Sequence, residues 1–504
     1  MTLEHVDVLI VGAGLSGIGA AAQLRSHLPH RSVAVLESRA ASGGTWDLFR
    51  YPGIRSDSDM FTFGFAWRPW PGDQALADGP AILDYLRTVS QEYGVEELIR
   101  FRHTVTAADY DTAAACWTVT VRTPEGEQRL TTDFLWACAG YYDYEQGHQP
   151  DFPGLADFEG AFIHPQHWPE DLEYAGKKVV VIGSGATAVT LVPAMAAEAE
   201  HVTMLQRTPT YVLSRAGRDP VARRLGSVLD RVPDWVAFRS ARERVGFGAA
   251  RWANIAMIIA SYQIARRRPE RMKQIVRAGV LAQLTGDERT AGLAPGEAEE
   301  YVERHFTPPY EPWDQRLCFV PDGDLFEAIR AGRASVVTDR IRTFTAKGVQ
   351  LESGDTLEAD IVVSATGLRI RLFGGLDLTV DGEPRPFNEA MAYKAMMLSG
   401  IPNFAFTIGY TNASWTLKAD LVADHVVRLL GHMERLGHRQ VLVERDPSVE
   451  ERPFMGLTSG YITRALDRMP SQGDRAPWAL KQNYLVDLRV LRAGRLEDGP
   501  VRFS

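Results

Sequence analysis

Val6-Asp-Val-Leu-Ile-Val11 runs directly into Gly12-Ala-Gly14-Leu-Ser16-Gly17, and an alanine-rich segment follows as far as Ser26. The first run has the composition of a short strand, the later segment reads as a helix, and the glycines make the turn between them. A second strand, Val33-Ala-Val-Leu-Glu37, ends on a carboxylate. This order describes a dinucleotide-binding unit: the glycines admit a pyrophosphate to the helix N-terminus, and Glu37 accepts hydrogen bonds from a ribose hydroxyl. The order returns at Lys178-Val-Val-Val-Ile182, Gly183-Ser184-Gly185-Ala186-Thr187-Ala188, an apolar helix, and His201-Val-Thr-Met-Leu-Gln-Arg207. Arginine closes the second unit where glutamate closed the first. A carboxylate suits a free 2′-hydroxyl and a guanidinium suits a 2′-phosphate, with the Thr208 hydroxyl beside it. The first unit is therefore expected to bind FAD and the second NADPH.

The expected fold class is α/β, with two Rossmann-like dinucleotide-binding domains (FAD and NADP) and a helical insertion in the NADP domain. Residues 1–145 and 382–504 are assigned to the FAD domain, 146–213 and 316–381 to the NADP domain, and 214–315 to the insertion. Ser214 to Ala294 has helical periodicity, basic runs such as Arg266-Arg-Arg268 and few strand signals. Within it Trp252 to Tyr262 is strongly apolar but too short to cross a bilayer. A core or substrate-tunnel helix and a helix lying on a membrane surface both fit that stretch. Further on, Ile401 to Gly409 is expected as the last strand, with a helix from Leu417 to Leu436 closing the FAD domain.

A chain of 504 residues suits two or three domains, and 45% hydrophobic with 24% charged residues is ordinary for a globular protein. The net charge of -9 argues against nucleic acid as a partner, since phosphate binding wants a basic face. Cys116, Cys138 and Cys318 form no CxxC pair, which fits a reducing cytoplasm and no disulfide framework. The apolar start is preceded by Glu4 and Asp7 rather than by positive charge, so it does not read as a signal peptide. No transmembrane segment is expected, and peripheral membrane contact stays open. His164 and His167 have no third ligand near them in sequence, so no metal is assigned.

Between the two glycine turns lies Phe158-Glu-Gly160-Ala-Phe-Ile-His164-Pro-Gln-His-Trp168-Pro169. Phe158, Gly160, His164, Trp168 and Pro169 match each fixed position of FxGxxxHxxxWP, the fingerprint of flavoprotein monooxygenases. The chain resembles the Baeyer–Villiger branch of that superfamily, and within it the ethionamide-activating monooxygenases, from the first strand to the stretch around Tyr461 and Trp478. On composition alone, Gly43-Gly44-Thr45-Trp46 and Tyr51-Pro-Gly-Ile-Arg55-Ser56-Asp57 would be surface turns. The resemblance implies that they border the flavin, that the backbone near Val105 meets the adenine, and that Arg55, Ser56 and Asp57 also border the nicotinamide. It implies that the fingerprint residues couple the two domains, with His164 structural rather than a base. Asp360 to Gly367 resembles the segment that joins the domains.

The resemblance further implies that Arg316, in Asp314-Gln-Arg-Leu-Cys318, sits beside the flavin and that Asp57 positions it. Activated dioxygen is beyond protein side chains, but a reduced flavin supplies it as a C4a-peroxide, with NADPH giving the hydride. Attack on a ketone develops negative charge on oxygen, and a fixed cation lowers that barrier. The expected reaction converts a ketone to an ester or lactone with O2, with sulfide or thioamide oxidation as a side activity. The rivals are a nitrogen- or sulfur-specific flavin monooxygenase and a flavin redox sensor that does not oxygenate. One position departs from the family pattern: many Baeyer–Villiger enzymes carry Lys before the active-site Arg, and here it is Gln315. Selection of NADPH over NADH is then left to Arg207 and Thr208. Loops such as Met391 to Met397 and the insertion are the expected pocket walls, while Tyr410 to Trp415 fits a pocket wall and an ordinary buried aromatic stretch equally well.

Overall fold

The apolar runs read as strands become the centres of two separate sheets. A computed structural model describes residues 3–229, 239–286 and 293–504; parts of the expected insertion, 230–238 and 287–292, lie outside the described residues. The first half contains β1 (Glu4–Val11), β2 (Val33–Glu37), β3 (Ile99–Phe101), β4 (Thr104–Asp111), β5 (Cys116–Thr123) and β6 (Gly126–Ala137). They join a nine-stranded sheet in which β3, β2, β1 and β6 are parallel while β4, β5 and β6 form an antiparallel meander. Helices cover one face of the parallel part, over Ile10 and Trp136, and the meander with later segments covers the other, over Leu9 and Leu135, so all four are fully buried and the strands read as unbroken apolar runs. In β5 only one face is buried, and Trp117, Val119 and Val121 alternate with polar neighbours. Helix α1 (Leu15–His27) packs against the long helix Trp415–Leu436, as the expected closing element.

The second half follows β7 (Tyr142–Gly147) and contains β8 (Ala161–Ile163), β9 (Lys178–Ile182) and β10 (His201–Gln206). Its five-stranded parallel sheet has the order Ala334–Thr338, β10, β9, Ile361–Ser364, β8. The two passages between the halves pair with each other, β7 lying antiparallel to Leu368–Ile370.

Three sequence expectations shift. Asp377–Val380, assigned to the 316–381 segment of the NADP domain, pairs in parallel with β4 in the first sheet. It is a short edge strand turned back by a hairpin onto Glu383–Pro384, too brief to carry a pattern of its own. The strand expected within Ile401 to Gly409 forms at Phe404–Phe406 and pairs with β6, but it is not the last strand, since Val441–Val443 pairs with Val501–Phe503 and Glu451–Pro453 with Ser471–Gly473. The insertion straddles both halves instead of belonging to one. In the helix Arg239–Arg267, Phe247 and Ala250 pack with Phe61 and Phe63 of the first half, and buried Arg251 donates to the Phe61 and Gly64 carbonyls at 2.9 and 2.8 Å. In the next helix, Pro269–Thr285, Met272, Val276, Val280 and Leu284 join the core of the second. No described helix is long and apolar enough to cross a membrane.

Candidate active site

Each glycine turn ends a strand and starts a helix, and neither helix start is capped by a side chain: Gly14 precedes α1 and Gly185 precedes Ala186–Met195. Uncapped N–H groups at a helix start are donors without partners, which suits an anion. Gly12 has φ +103°, and a Cβ there would stand 2.9 Å from the Ala139 Cα; Gly183 has φ +132°, and its Cβ would stand 2.4 Å from the Ala365 carbonyl. Only glycine allows both the conformation and the approach. The two turns open on one cavity of about 1260 Å3, more than the roughly 300–1,000 Å3 of a single-ligand pocket.

Of the expected first-site residues, Gly12, Gly14, Ser16, Glu37, Gly44, Thr45, Trp46, Asp57 and Val105 line this cavity. Gly17 does not; its Cβ would fall 1.8 Å from the Gly12 carbonyl, so it serves the packing of helix on strand. The buried Glu37 carboxylate accepts from the Ala13 and Arg39 backbone N–H groups at 2.8 and 2.9 Å, which fixes it at the cavity edge. Ser16 accepts the Trp415 indole N–H at 2.8 Å, tying the turn to the closing helix. Of the second set, Gly183, Ser184, Gly185, Ala186, Thr187, Arg207 and Thr208 line the cavity with Arg55 and Ser56. Arg207 is exposed and has no ion-pair partner among the described residues.

The loop from Tyr51 to Asp57 belongs to the first half but is anchored in the second. Gly53, at φ +74°, lies so close to the Ala186–Met195 helix that a Cβ would stand 2.6 Å from that of Ala194. Burial pushes the Tyr51 phenol up to about 12, offset in part by Thr187 beside it. Arg55 pairs with Asp324 and reaches the Val189 carbonyl, while the Ser56 hydroxyl is spent within the loop on the Ser58 carbonyl at 2.9 Å.

Asp57 takes Arg316 in a fork, Nη2 to Oδ1 and Nε to Oδ2, both at 2.8 Å. Nη1 has no partner among the described residues, and 34% of the Arg316 side chain faces the cavity. Asp57 raises the guanidinium above its already high value, so it stays charged. Around it stand Tyr141, Tyr142 and Tyr461, whose phenols burial pushes well up, leaving them neutral donors. Cys138 and Cys318 also line the cavity, but burial pushes both thiols up to about 12, so neither is a nucleophile at neutral pH.

The fingerprint residues Phe158, Gly160, His164, Trp168 and Pro169 lie outside the cavity lining. Instead their segment grips β7: the Gln166 amide donates to the Asp143 carbonyl at 2.8 Å and the His167 ring pairs with the Glu145 carbonyl at 3.0 Å. The His164 ring lies over Gly147, where a Cβ would be 2.0 Å from it. Its Nδ1 accepts from the Gln166 N–H, and burial lowers its pKa, so it stays neutral.

Met391 to Met397, expected as a pocket wall, is a buried hairpin of the first core and does not reach the cavity. The insertion's described helices do not reach it either, although Tyr310 and Gln315 do, and so do Tyr410, Ala413 and Trp415. Sequence reading missed Arg39, Tyr144 and Arg340. Arg39 lines the cavity, donates to the Gly44 carbonyl at 3.1 Å and pairs with buried Asp47 at 2.8 Å. Tyr144 bonds Thr45 at 3.1 Å. Arg340 lines the cavity next to Arg207, because Ala334–Thr338 pairs with β10 and the Asp339 N–H bonds the Gln206 carbonyl at 3.0 Å. Finding it requires the strand order, which no local pattern carries. Among the described residues one triad could offer metal ligands, His5, Cys116 and Asp133, but it stands at the far end of β1 from Gly12.

A flavin-binding monooxygenase-like family profile matches residues 69–225, and an NAD(P)-binding Rossmann-like profile matches residues 10–75. The chain is 52% identical to the FAD-containing monooxygenase EthA of Mycobacterium tuberculosis, over 99% of this chain and 98% of that protein. It is 48% identical to the EthA of Mycolicibacterium smegmatis, over 99% and 97%. Among solved structures, the fold is shared with an NADP-bound steroid monooxygenase (TM-score 0.73, 21% identity, 99% of each chain). It is also shared with an open form of cyclohexanone monooxygenase (TM-score 0.71, 22% identity, 99% of this chain and 100% of that one). The chain belongs to the family of FAD-containing monooxygenases.

Proposed function

We propose that this protein is an FAD-dependent, NADPH-consuming Baeyer–Villiger monooxygenase that inserts oxygen beside a ketone carbonyl, giving an ester or lactone. Sulfide and thioamide oxidation are side activities on this reading. The residues of the first glycine turn would hold FAD and those of the second NADPH, and the flavin would supply there the activated dioxygen that side chains cannot. The observation that carries the reading is the Arg316 guanidinium, held from one edge by Asp57 in the cavity between the two turns, with no partner for Nη1 among the described residues. A donor of fixed position and permanent charge stabilises oxygen that becomes negative as the carbonyl is attacked, an effect of about 3 kcal/mol in comparable oxyanion sites. Oxidation at sulfur or nitrogen builds no such adduct and does not need it.

Other residues prepare the same space. Glu37 accepts a ribose hydroxyl of the first nucleotide, and Arg207 with Thr208 takes the 2′-phosphate of the second. Gln315 brings no charge to that group, and Arg340 supplies a second guanidinium near it. The loop from Tyr51 to Asp57, fastened to the second half, limits water in the junction.

The test is NADPH consumption with linear, cyclic and aryl ketones, with ester and hydrogen peroxide quantified for the wild type and for Arg316→Ala. The expected result is ester from the wild type and a loss of about a hundredfold or more in the variant, with flavin reduction kept in both. Peroxide or sulfoxide alone, unchanged in the variant, removes the ketone mechanism.

A further inference from the structure

The helix Arg239–Arg267 has two unlike sides. Its inner face is buried as described, while Trp252, Ala256, Met257, Ala260 and Ile264 form a solvent-facing stripe at helical spacing. Trp252, Met257 and Ile264 are 50%, 52% and 37% exposed, and Leu485 and Val486 beside them are 49% and 42% exposed. The Trp252 ring lies 6.1 Å from that of Tyr484, which joins the two segments into one patch. These five are most of the exposed large apolar side chains in the described protein.

Both segments that form the patch also carry cations. Arg267, Arg268 and Arg271 are exposed at the end of the helix and just past it, Lys481 and Arg489 are exposed on the segment that carries Leu485 and Val486, and none has an ion-pair partner among the described residues. No Asp or Glu occurs from Val245 to Pro269, in a chain with 64 acidic and 55 basic residues. We propose that this patch docks the protein on an anionic lipid surface, with the helix axis in the interface plane. Tryptophan and the aliphatic side chains enter the headgroup boundary, and the arginines meet lipid phosphates. The remaining surface is net acidic and is repelled, so the bilayer also orients the molecule. A second copy fits poorly, because pairing this face with itself gathers the unpaired cations of both copies in one interface.

The docked helix is also a wall toward the site. Its inner residues Ile255, Ile258, Ile259 and Tyr262 line a small gap against Tyr410 and Ala413, and those two also line the large cavity. An apolar ketone dissolved in the bilayer is therefore one helix away from the chemistry. This last step rests on the function proposed above; the docking does not.

The holoenzyme is sedimented with phosphatidylcholine vesicles, with and without phosphatidylglycerol. Binding to the anionic vesicles only is expected, with a fall on the order of a hundredfold in Arg267→Glu/Arg268→Glu/Arg271→Glu, since each cation near such a surface contributes about fivefold. Trp252→Glu/Met257→Glu changes exposed positions and leaves the fold intact; it also releases the protein. Turnover of a long-chain ketone held in vesicles falls in that double variant, while turnover of a water-soluble ketone is kept. No vesicle binding, equal binding by the variants, or a dimer that the double variant dissociates overturns docking. Vesicle binding without ester from either ketone leaves docking standing and overturns the proposed reaction.

Discussion

The two glycine turns start from nearly the same residues and end in different surroundings. Around the first, the Gly43-Gly44 loop folds over the turn, so that a Cβ on Gly14 would be 3.5 Å from the Gly44 Cα, and the closing carboxylate, Glu37, is 4% exposed. Around the second, a Cβ on Gly185 would meet nothing within 4 Å, and the closing Arg207 stands in solvent. Enclosure suits a nucleotide that stays through every turnover, and openness suits one that must arrive and leave. The proposed assignment of FAD and NADPH then has a kinetic reason beside the chemical one of Glu37 against Arg207.

The contrast breaks most severely at Gly12. Gly12→Val adds a side chain at φ +103° with Ala139 and Cys138 backbone at 2.9 Å; purified protein should lose nearly all its visible flavin absorbance. If the absorbance is kept, the first turn does not hold the flavin.

Acid separates the halves more gently, because each holds a buried neutral histidine. Burial lowers His425 in the first half to about 3 and His305 in the second to about 4, from 6.5. Below pH 6.5 the unfolded chain takes up these protons and the native state does not, so stability is full above 6.5 and declines toward those lower values. The expected loss through His305 is up to about 3 kcal/mol. Replacing either residue by Gln should flatten the acid limb of the melting temperature, and His425→Gln more than His305→Gln.

Arg207→Ala should raise the KM for NADPH about tenfold, the loss of one charge-assisted phosphate contact, and leave that for NADH unchanged. Equal effects on both coenzymes would move the 2′-phosphate elsewhere, with Arg340→Ala the next variant to assay. The smallest effect belongs to Gly185→Ala. Its φ of -78° and open surroundings admit a methyl group without disturbing the fold, so the melting temperature should barely move, and any rise in the KM for NADPH reports the approach of the pyrophosphate to this turn.

What was legible in the sequence follows from distance along the chain. Glu37 and Arg207 were legible because a strand, a glycine turn and a helix fix the position of the next strand's end. Arg316 and Asp57 are 259 residues apart in irregular loops, and only resemblance to a family joined them. Arg340 depends on which strand lies beside β10, and Asp377–Val380 on which sheet has a free edge. Met391 to Met397 looked like a loop because its hairpin strands have only two residues each. The insertion was recognised as helical, but its allegiance to both halves depends on contacts that helical periodicity does not encode.

The paired passages β7 and Leu368–Ile370 have a consequence for synthesis. Every strand of the second sheet falls between Ala161 and Ser364, so that sheet is complete while the ribosome is still adding the rest of the chain. The first sheet must wait for Asp377–Val380, for Phe404–Phe406 beside β6, and for the helix Trp415–Leu436. The half that is made second has all its strands first, and β1 to β6 have α1 against them in that interval but not the strand and helix that complete their cover, the period in which a chaperone has most to do.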